Sequence, residues 1–296
     1  MNSRTLKWTN LVVFLVTVAM NAAAVLLPLA GRTTQEISQR YEHLFTPANY
    51  AFSIWSVLYT ILLVNAIDGV RRPDPENAEV NQARKYLIAA NILNTLWLVA
   101  WHNLLVWLAW PIMLLILGSL ILAYKHLERA PLTGWAHWAQ RVPVAAYLGW
   151  IAVATIANTG NFFVSLGWTG APLEPTVWAC ILALVAGGIG AGLSRTLGGV
   201  AFCASLAWGL VGVLNRPSSG AALIGLYIAL ALIAVFVSSR CGSQRRWSCN
   251  ATPFSSLSAL VCRGFARGQL EFDDSRVIPD SFKQSHRSSG DFAALS

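Results

Sequence analysis

The chain has 296 residues, of which only 11% are charged, against the roughly 25% usual in soluble domains. Hydrophobic residues make up 55%, thirteen are Trp, and the mean hydropathy is +0.53. A soluble fold of this length buries only about three quarters of its surface, which excludes an ordinary cytosolic enzyme. Five Cys, an odd number without a CxxC pair, exclude a disulfide-stapled secreted domain. The net charge of +8 is scattered between apolar runs rather than laid along a stripe, so no nucleic-acid partner is expected. The solvent this composition calls for is a lipid bilayer.

A bilayer core takes about 20 apolar residues per helix. The first span is read at residues 8–30, behind Arg4 and Lys7. The competing reading is a signal peptide cleaved near Pro28-Leu29-Ala30, although the apolar run is long for one. A second span is expected at 49–68. The apolar stretch 86–124 would reach roughly 60 Å as one helix, so it is two helices folded back at His102-Asn103. Further spans are expected at 142–162, 176–193, 197–214 and 219–238, which makes eight.

Basic residues support that count. With the amino terminus inside, inner segments carry Arg4, Lys7, Arg71, Arg72, Arg84, Lys85, Lys125, Arg129, Arg141, Arg195, Arg240, Arg245 and Arg246, and outer ones only Arg32, Arg40 and Arg216. Cytoplasmic loops carry such an excess. Both termini are therefore expected in the cytoplasm, of a multi-pass protein in the plasma membrane. Residues 240–296 are Ser-rich, mixed in charge and aperiodic, and read as a disordered tail. Cys241 and Cys249 there are read as reduced thiols, with palmitoylation the alternative.

The span interiors hold no ionisable residue, which speaks against a proton- or ion-driven pump. They hold carboxamides and aromatics instead. Phe52, Trp55 and Tyr59 fall at offsets 0, 3 and 7; Asn94, Trp97 and Trp101 repeat them; Tyr147, Trp150, Ala154, Asn158 and Asn161 hold one phase for nearly four turns. Residues so spaced share a helix face. An Asn facing lipid leaves its amide unpaired, so these stripes face protein. Two readings stay open: an aromatic-walled pocket, or interhelical packing by Asn. Trp8, Trp107, Trp110, Trp135, Trp138, Trp168 and Trp247 read as interfacial anchors.

Three segments carry a resemblance. Phe45-Thr-Pro47-Ala-Asn-Tyr50-Ala-Phe52-Ser-Ile-Trp55, Leu93-Asn94-x-x-Trp97 and Tyr147-Leu-x-Trp150-x-x-x-Ala154-Thr-x-x-Asn158 resemble, in order, the second-, third- and fifth-helix signatures of the TspO/MBR family, the tryptophan-rich sensory or translocator proteins. The resemblance covers about residues 8–166. It implies an all-α fold with a five-helix transmembrane core (1–166), commonly dimeric, that binds tetrapyrroles and in some members sterols or drug-like molecules beneath the first loop. Carried over by residue, it implies Pro47, Phe52, Trp55, Asn94, Trp97, Tyr147, Trp150, Ala154 and Asn158 as pocket residues; Tyr59 joins them from the stripe of the second span. No resident cofactor is required, and porphyrin or haem enters as a ligand.

Two features depart from the pattern. Tyr50 stands where the family often has Trp, on the loop side of the implied pocket. Three added helices (167–239) precede the tail. Their Gly187-Gly188-Ile-Gly190-Ala-Gly192 run suits close helix packing, and Ser194-Arg195-Thr196 is short enough for a hairpin. They are expected to cover one face of the core, where short relatives dimerise. Haem needs an axial ligand; His43 in the first outer loop and His102 at the end of the third span read as capping or interfacial residues. Pro47, Pro111 and Pro143 are placed at helix starts.

The leading function is a binding or sensory protein for a hydrophobic planar molecule of tetrapyrrole type. The alternatives are a transporter of such a ligand, and a membrane enzyme acting on a lipid or isoprenoid.

Overall fold

The computed structural model describes residues 2–27, 29–73, 77–174, 177, 178, 181, 184 and 197–215. The expected spans at 176–193 and 219–238 fall almost wholly outside these residues, as do the Gly187–Gly192 run, the 194–196 link, Trp247 and the tail from 240.

Seven α-helices are described: α1 Ser3–Leu26, α2 Thr34–Arg40, α3 Ile54–Arg71, α4 Ala78–His102, α5 Val106–Arg129, α6 Gly134–Ser165 and α7 Leu197–Leu214. Short 3-10 turns occupy Leu29–Gly31 and Asn49–Ser53. Among the described residues, four helical segments are long and apolar enough to cross a membrane: α1, the Asn49–Arg71 segment, α5 and α6. The α4 helix is as long, but Glu79, Arg84 and Lys85 in its first two turns make it the least apolar of the five long helices of the core.

Each helix end has a visible cause. Asn2 accepts the Thr5 amide and starts α1. Thr33 and Glu36 form a reciprocal capping box that starts α2, a short helix inside the first loop that hydropathy did not signal. The bond from the Thr33 amide holds the exposed Glu36 carboxyl below its usual pKa. The α4–α5 turn lies at the expected place; there Leu104 takes φ 59°, a left-handed conformation uncommon outside glycine. The last carbonyls of α5 lack helical donors. Arg141 of α6 supplies them, reaching the oxygens of Leu127, Glu128 and Ala130 at 2.6, 3.2 and 2.6 Å.

The five long core helices pack in a closed ring, α1–α3–α6–α5–α4 and back to α1. Within it the Thr17 hydroxyl lies 3.1 Å from the Asn91 carbonyl, and Asn21 donates to Asn94 Oδ1 at 3.0 Å. The first helix is thus a wall of the ring, as the span reading requires. Outside the ring, α7 packs on α6 and on the Asn49–Ser53 turn.

Two expectations are corrected. Pro111 and Pro143 lie in the interiors of α5 and α6: Pro111 stands beyond the first turn of α5, and α6 begins well before the expected span. Proline has no N–H for the carbonyl four residues back, which for Pro143 is Ala139. Asn65 of α3 fills that gap, donating to Ala139 O at 3.0 Å from its buried carboxamide. The helices also run further than the expected spans at one end of the ring, past the uncharged span interiors. There Lys7, Asp68, Arg84 and Arg141 all lie within helices, with Lys7 and Arg84 buried. Asp68 is held by Arg72 at 2.6 Å, Gln140 at 2.7 Å and the Trp135 indole at 3.0 Å. Lys7 donates to the carbonyls of Arg72 and Pro73, and Arg84 to Asn81 within α4; such bonds offset the cost of leaving water.

Candidate ligand-binding site

The opposite end of the ring, under residues 29–53, encloses a hollow. It is lined by Thr34, Ser38, Pro47, Phe52, Trp55, Asn94, Trp97, Trp101, Met113, Trp150, Val153, Ala154, Ala157, Asn158 and Asn161. Of the residues singled out from sequence, Pro47, Phe52, Trp55, Asn94, Trp97, Trp150, Ala154 and Asn158 are brought together here. Tyr59 and Tyr147 are not. They lie one turn deeper and support the wall from behind: Tyr59 stacks on Trp55 at 5.2 Å, and Tyr147 meets the same ring edge-on at 5.9 Å. Phe52 is presented by the 3-10 turn rather than by α3.

The walls are a mesh of rings. Trp150 meets Phe52 at 6.1 Å and Trp55 at 6.2 Å, both edge-on, and Trp97 stacks on Trp101 at 5.4 Å. Such offset and edge contacts are the favoured aromatic geometries. The enclosed free space is about 30 Å³, the share of one water molecule in the liquid. Sites for drug-sized ligands span roughly 300–1,000 Å³, so a larger guest enters only as the walls part.

Polar groups in the hollow divide into satisfied and unsatisfied. Trp97 donates to Asn158 Oδ1 at 3.0 Å, while the Asn158 amide turns back to Ala154 O at 3.0 Å. Asn161 ties α6 to the first loop through the carbonyls of Ser38 and Tyr41, at 3.3 and 2.9 Å. Packing and lining are therefore both tasks of these carboxamides. The buried Trp150 Nε1 makes no hydrogen bond, whereas the Asn94 amide has the Tyr147 phenol beside it as a partner. Buried donors without partners are rare and call for a cause.

Neither histidine offers a free ring nitrogen. His43 donates from Nε2 to Ala157 O at 3.0 Å and accepts the Phe45 amide on Nδ1 at 3.2 Å, which fixes it neutral. It sits so close to α6 that a Cβ at Gly160 would strike its ring. His102 is fully buried, with Nδ1 donating to Leu98 O at 2.9 Å and Nε2 facing the Thr34 hydroxyl at 3.4 Å. Burial lowers the His43 pKa below its usual 6.5. The unfolded chain then binds the proton more readily than the folded one, so stability is complete above about pH 6.5 and is lost as pH falls below it. Thermal unfolding in detergent is expected to drop between pH 7 and 5, with a shallower slope in His43→Gln; an identical slope in both proteins would refute the assignment.

Tyr50 is a further correction. It does not face the hollow but is 41% exposed and turned to α7, where its hydroxyl donates to Val211 O at 3.2 Å. Sequence reasoning left Trp101 and Asn161 out of the site although both lie on its stripes. Thr34, Ser38, Met113, Val153 and Ala157 carried no aromatic or carboxamide signal, and only the ring closure brings them in.

Aromatic stripes converging on one hollow in a ring of long apolar helices define an integral membrane protein with a candidate small-molecule site. The chain matches the family model described as TSPO-like protein over residues 7–240, and it belongs to that family. The match runs past the three signature segments to take in α7. No curated protein and no solved structure matches the chain.

Proposed function

We propose that the hollow is a receptor site for a hydrophobic planar molecule of tetrapyrrole type, and that the protein binds or senses this ligand rather than transforming it. The observation that carries the reading is the unpaired Trp150 Nε1, a buried donor on a side chain that lines the aromatic hollow. It calls for an acceptor on the ligand, such as a carboxylate or carbonyl, while the indoles supply stacking surface. The site stands under the first loop, where the family resemblance expects it.

Purified protein in detergent is expected to bind protoporphyrin with saturable quenching of Trp fluorescence at micromolar concentration. Because both ring nitrogens of His43 and His102 are engaged, metal-free protoporphyrin and haem are expected to bind within a few-fold of each other. An absence of saturable quenching overturns the reading. Haem binding far more tightly than the free porphyrin would point instead to axial ligation, with the lining Met113 as the candidate.

Transport of the same ligand is the second reading, favoured by the interior prolines of α5 and α6. Ligand flux in proteoliposomes separates it from binding alone. The charge asymmetry supports a plasma-membrane protein with both termini in the cytoplasm. The seating of α7 on α6 supports a core that dimerises, if at all, through another face.

A further inference from the structure

The α7 helix is bound to the wall of the hollow as well as to α6. The Ala48 amide donates to Gly212 O at 2.9 Å, and the Trp208 indole donates to Ala51 O at 2.9 Å. The Tyr50 hydroxyl, besides donating to Val211 O, accepts the Asn215 amide at 2.5 Å, and its ring meets Trp208 edge-on at 5.8 Å. Gly212 permits this approach: a Cβ there would lie 2.6 Å from the Ala51 Cβ. Behind the facing wall, a Cβ on Gly209 would lie 2.7 Å from Val153 Cγ1.

These bonds complete both partners. The carbonyls of Val211 and Gly212 belong to the last turn of α7; Val211 O takes the Tyr50 hydroxyl in addition to the Asn215 amide at 3.2 Å, and Gly212 O takes the Ala48 amide. The 3-10 turn has no side-chain cap of its own; α7 holds it. That turn and the residue before it bring Phe52 and Pro47 to the hollow. The remaining walls are faces of the long ring helices and of the short α2, which the Trp101 and Asn161 side chains tie to α4 and α6 through the carbonyls of Thr34, Ser38 and Tyr41. The segment at 47–53 is therefore the wall that can yield at least cost.

We infer that α7 is a brace that holds the 47–53 wall closed over the hollow, so that Trp208, Tyr50 and Gly212 are positioning residues that govern admission of a guest. This rests on the proposed reading of the hollow as a ligand site. The test uses the full chain in nanodiscs without ligand, comparing wild type with Trp208→Phe, which loses the indole donor but keeps a ring. Two quantities are read: amide exchange at Ala48, and labelling of an Ala154→Cys thiol on the hollow wall by a membrane-permeant maleimide, located by peptide mass spectrometry. Losing one part-buried hydrogen bond is expected to raise each rate about fivefold.

Tyr50→Phe, a milder change, is expected to act in the same direction and serves if Trp208→Phe fails to fold. Unchanged exchange at Ala48 overturns the brace. Faster exchange with unchanged labelling also overturns it, since the segment would then move without opening the hollow. Faster labelling in a protein that never quenches with protoporphyrin keeps the brace and discards the tetrapyrrole reading.

Discussion

Replacing Trp150 by Phe is expected to weaken protoporphyrin binding about tenfold to a hundredfold while leaving the bundle folded. Ring contacts to Phe52 and Trp55 are preserved in kind, so the change removes the indole N–H with the least loss of aromatic packing. A hydrogen bond to a charged acceptor contributes about 1.5–3 kcal/mol, which sets the range. Fluorescence titration, normalised for the lost indole, measures it. Trp150→Ala is a poorer probe, since truncating a buried aromatic costs about 3–5 kcal/mol of stability by itself. Equal affinity for wild type and Trp150→Phe would mean that the unpaired donor is not what the ligand meets.

The second large effect concerns the α6–α7 contact. Gly149→Ala places a methyl against the Phe202 carbonyl of the α7 backbone. A backbone oxygen cannot swing aside as a side chain can, so the two helices must separate. Overpacking of this kind costs about 1–3 kcal/mol, and Gly149→Val is expected to cost more than Gly149→Ala. A thermal melt of several degrees' loss, with amide exchange rising first in α7, is the expected outcome. No change in either measurement would show that the helices are not in close contact at this point. Small residues permit such approach between membrane helices, and among the described residues Gly149, Gly209 and Gly212 do so here.

The residues of the site were legible where a helical stripe carried a chemical mark. Asn94, Trp97, Trp150, Ala154 and Asn158 could be placed because carboxamide and indole groups repeat at helical spacing, and a carboxamide in lipid has to face protein. The same stripes included Tyr59 and Tyr147, which the structure sets behind Trp55. A stripe fixes a face but not a depth along the helix, and the hollow occupies only the end nearest the first loop. Tyr50 failed for a related reason. Its partners lie more than 150 residues away in the chain, on α7, and no local pattern points to them.

Helix limits divided in the same way. The α4–α5 turn was found because lipid thickness forbids one helix of that length. The starts of α4 and α6 were placed too late, because hydropathy stops at charged residues whereas the helix continues through them wherever a partner is within reach. Arg141 and Asp68 show this: each is kept in a helix by groups from neighbouring segments.

By itself the sequence determined the solvent, the long core helices and the faces they turn inward, since these follow from apolar length and helical period, both local properties. Only the tertiary structure decided that the faces close on a hollow with room for one water, that Asn65 repairs the gap left by Pro143, and that α7 grips the wall. Those are contacts between segments distant in the chain, and their geometry depends on backbone distances that a residue's neighbours in sequence do not set.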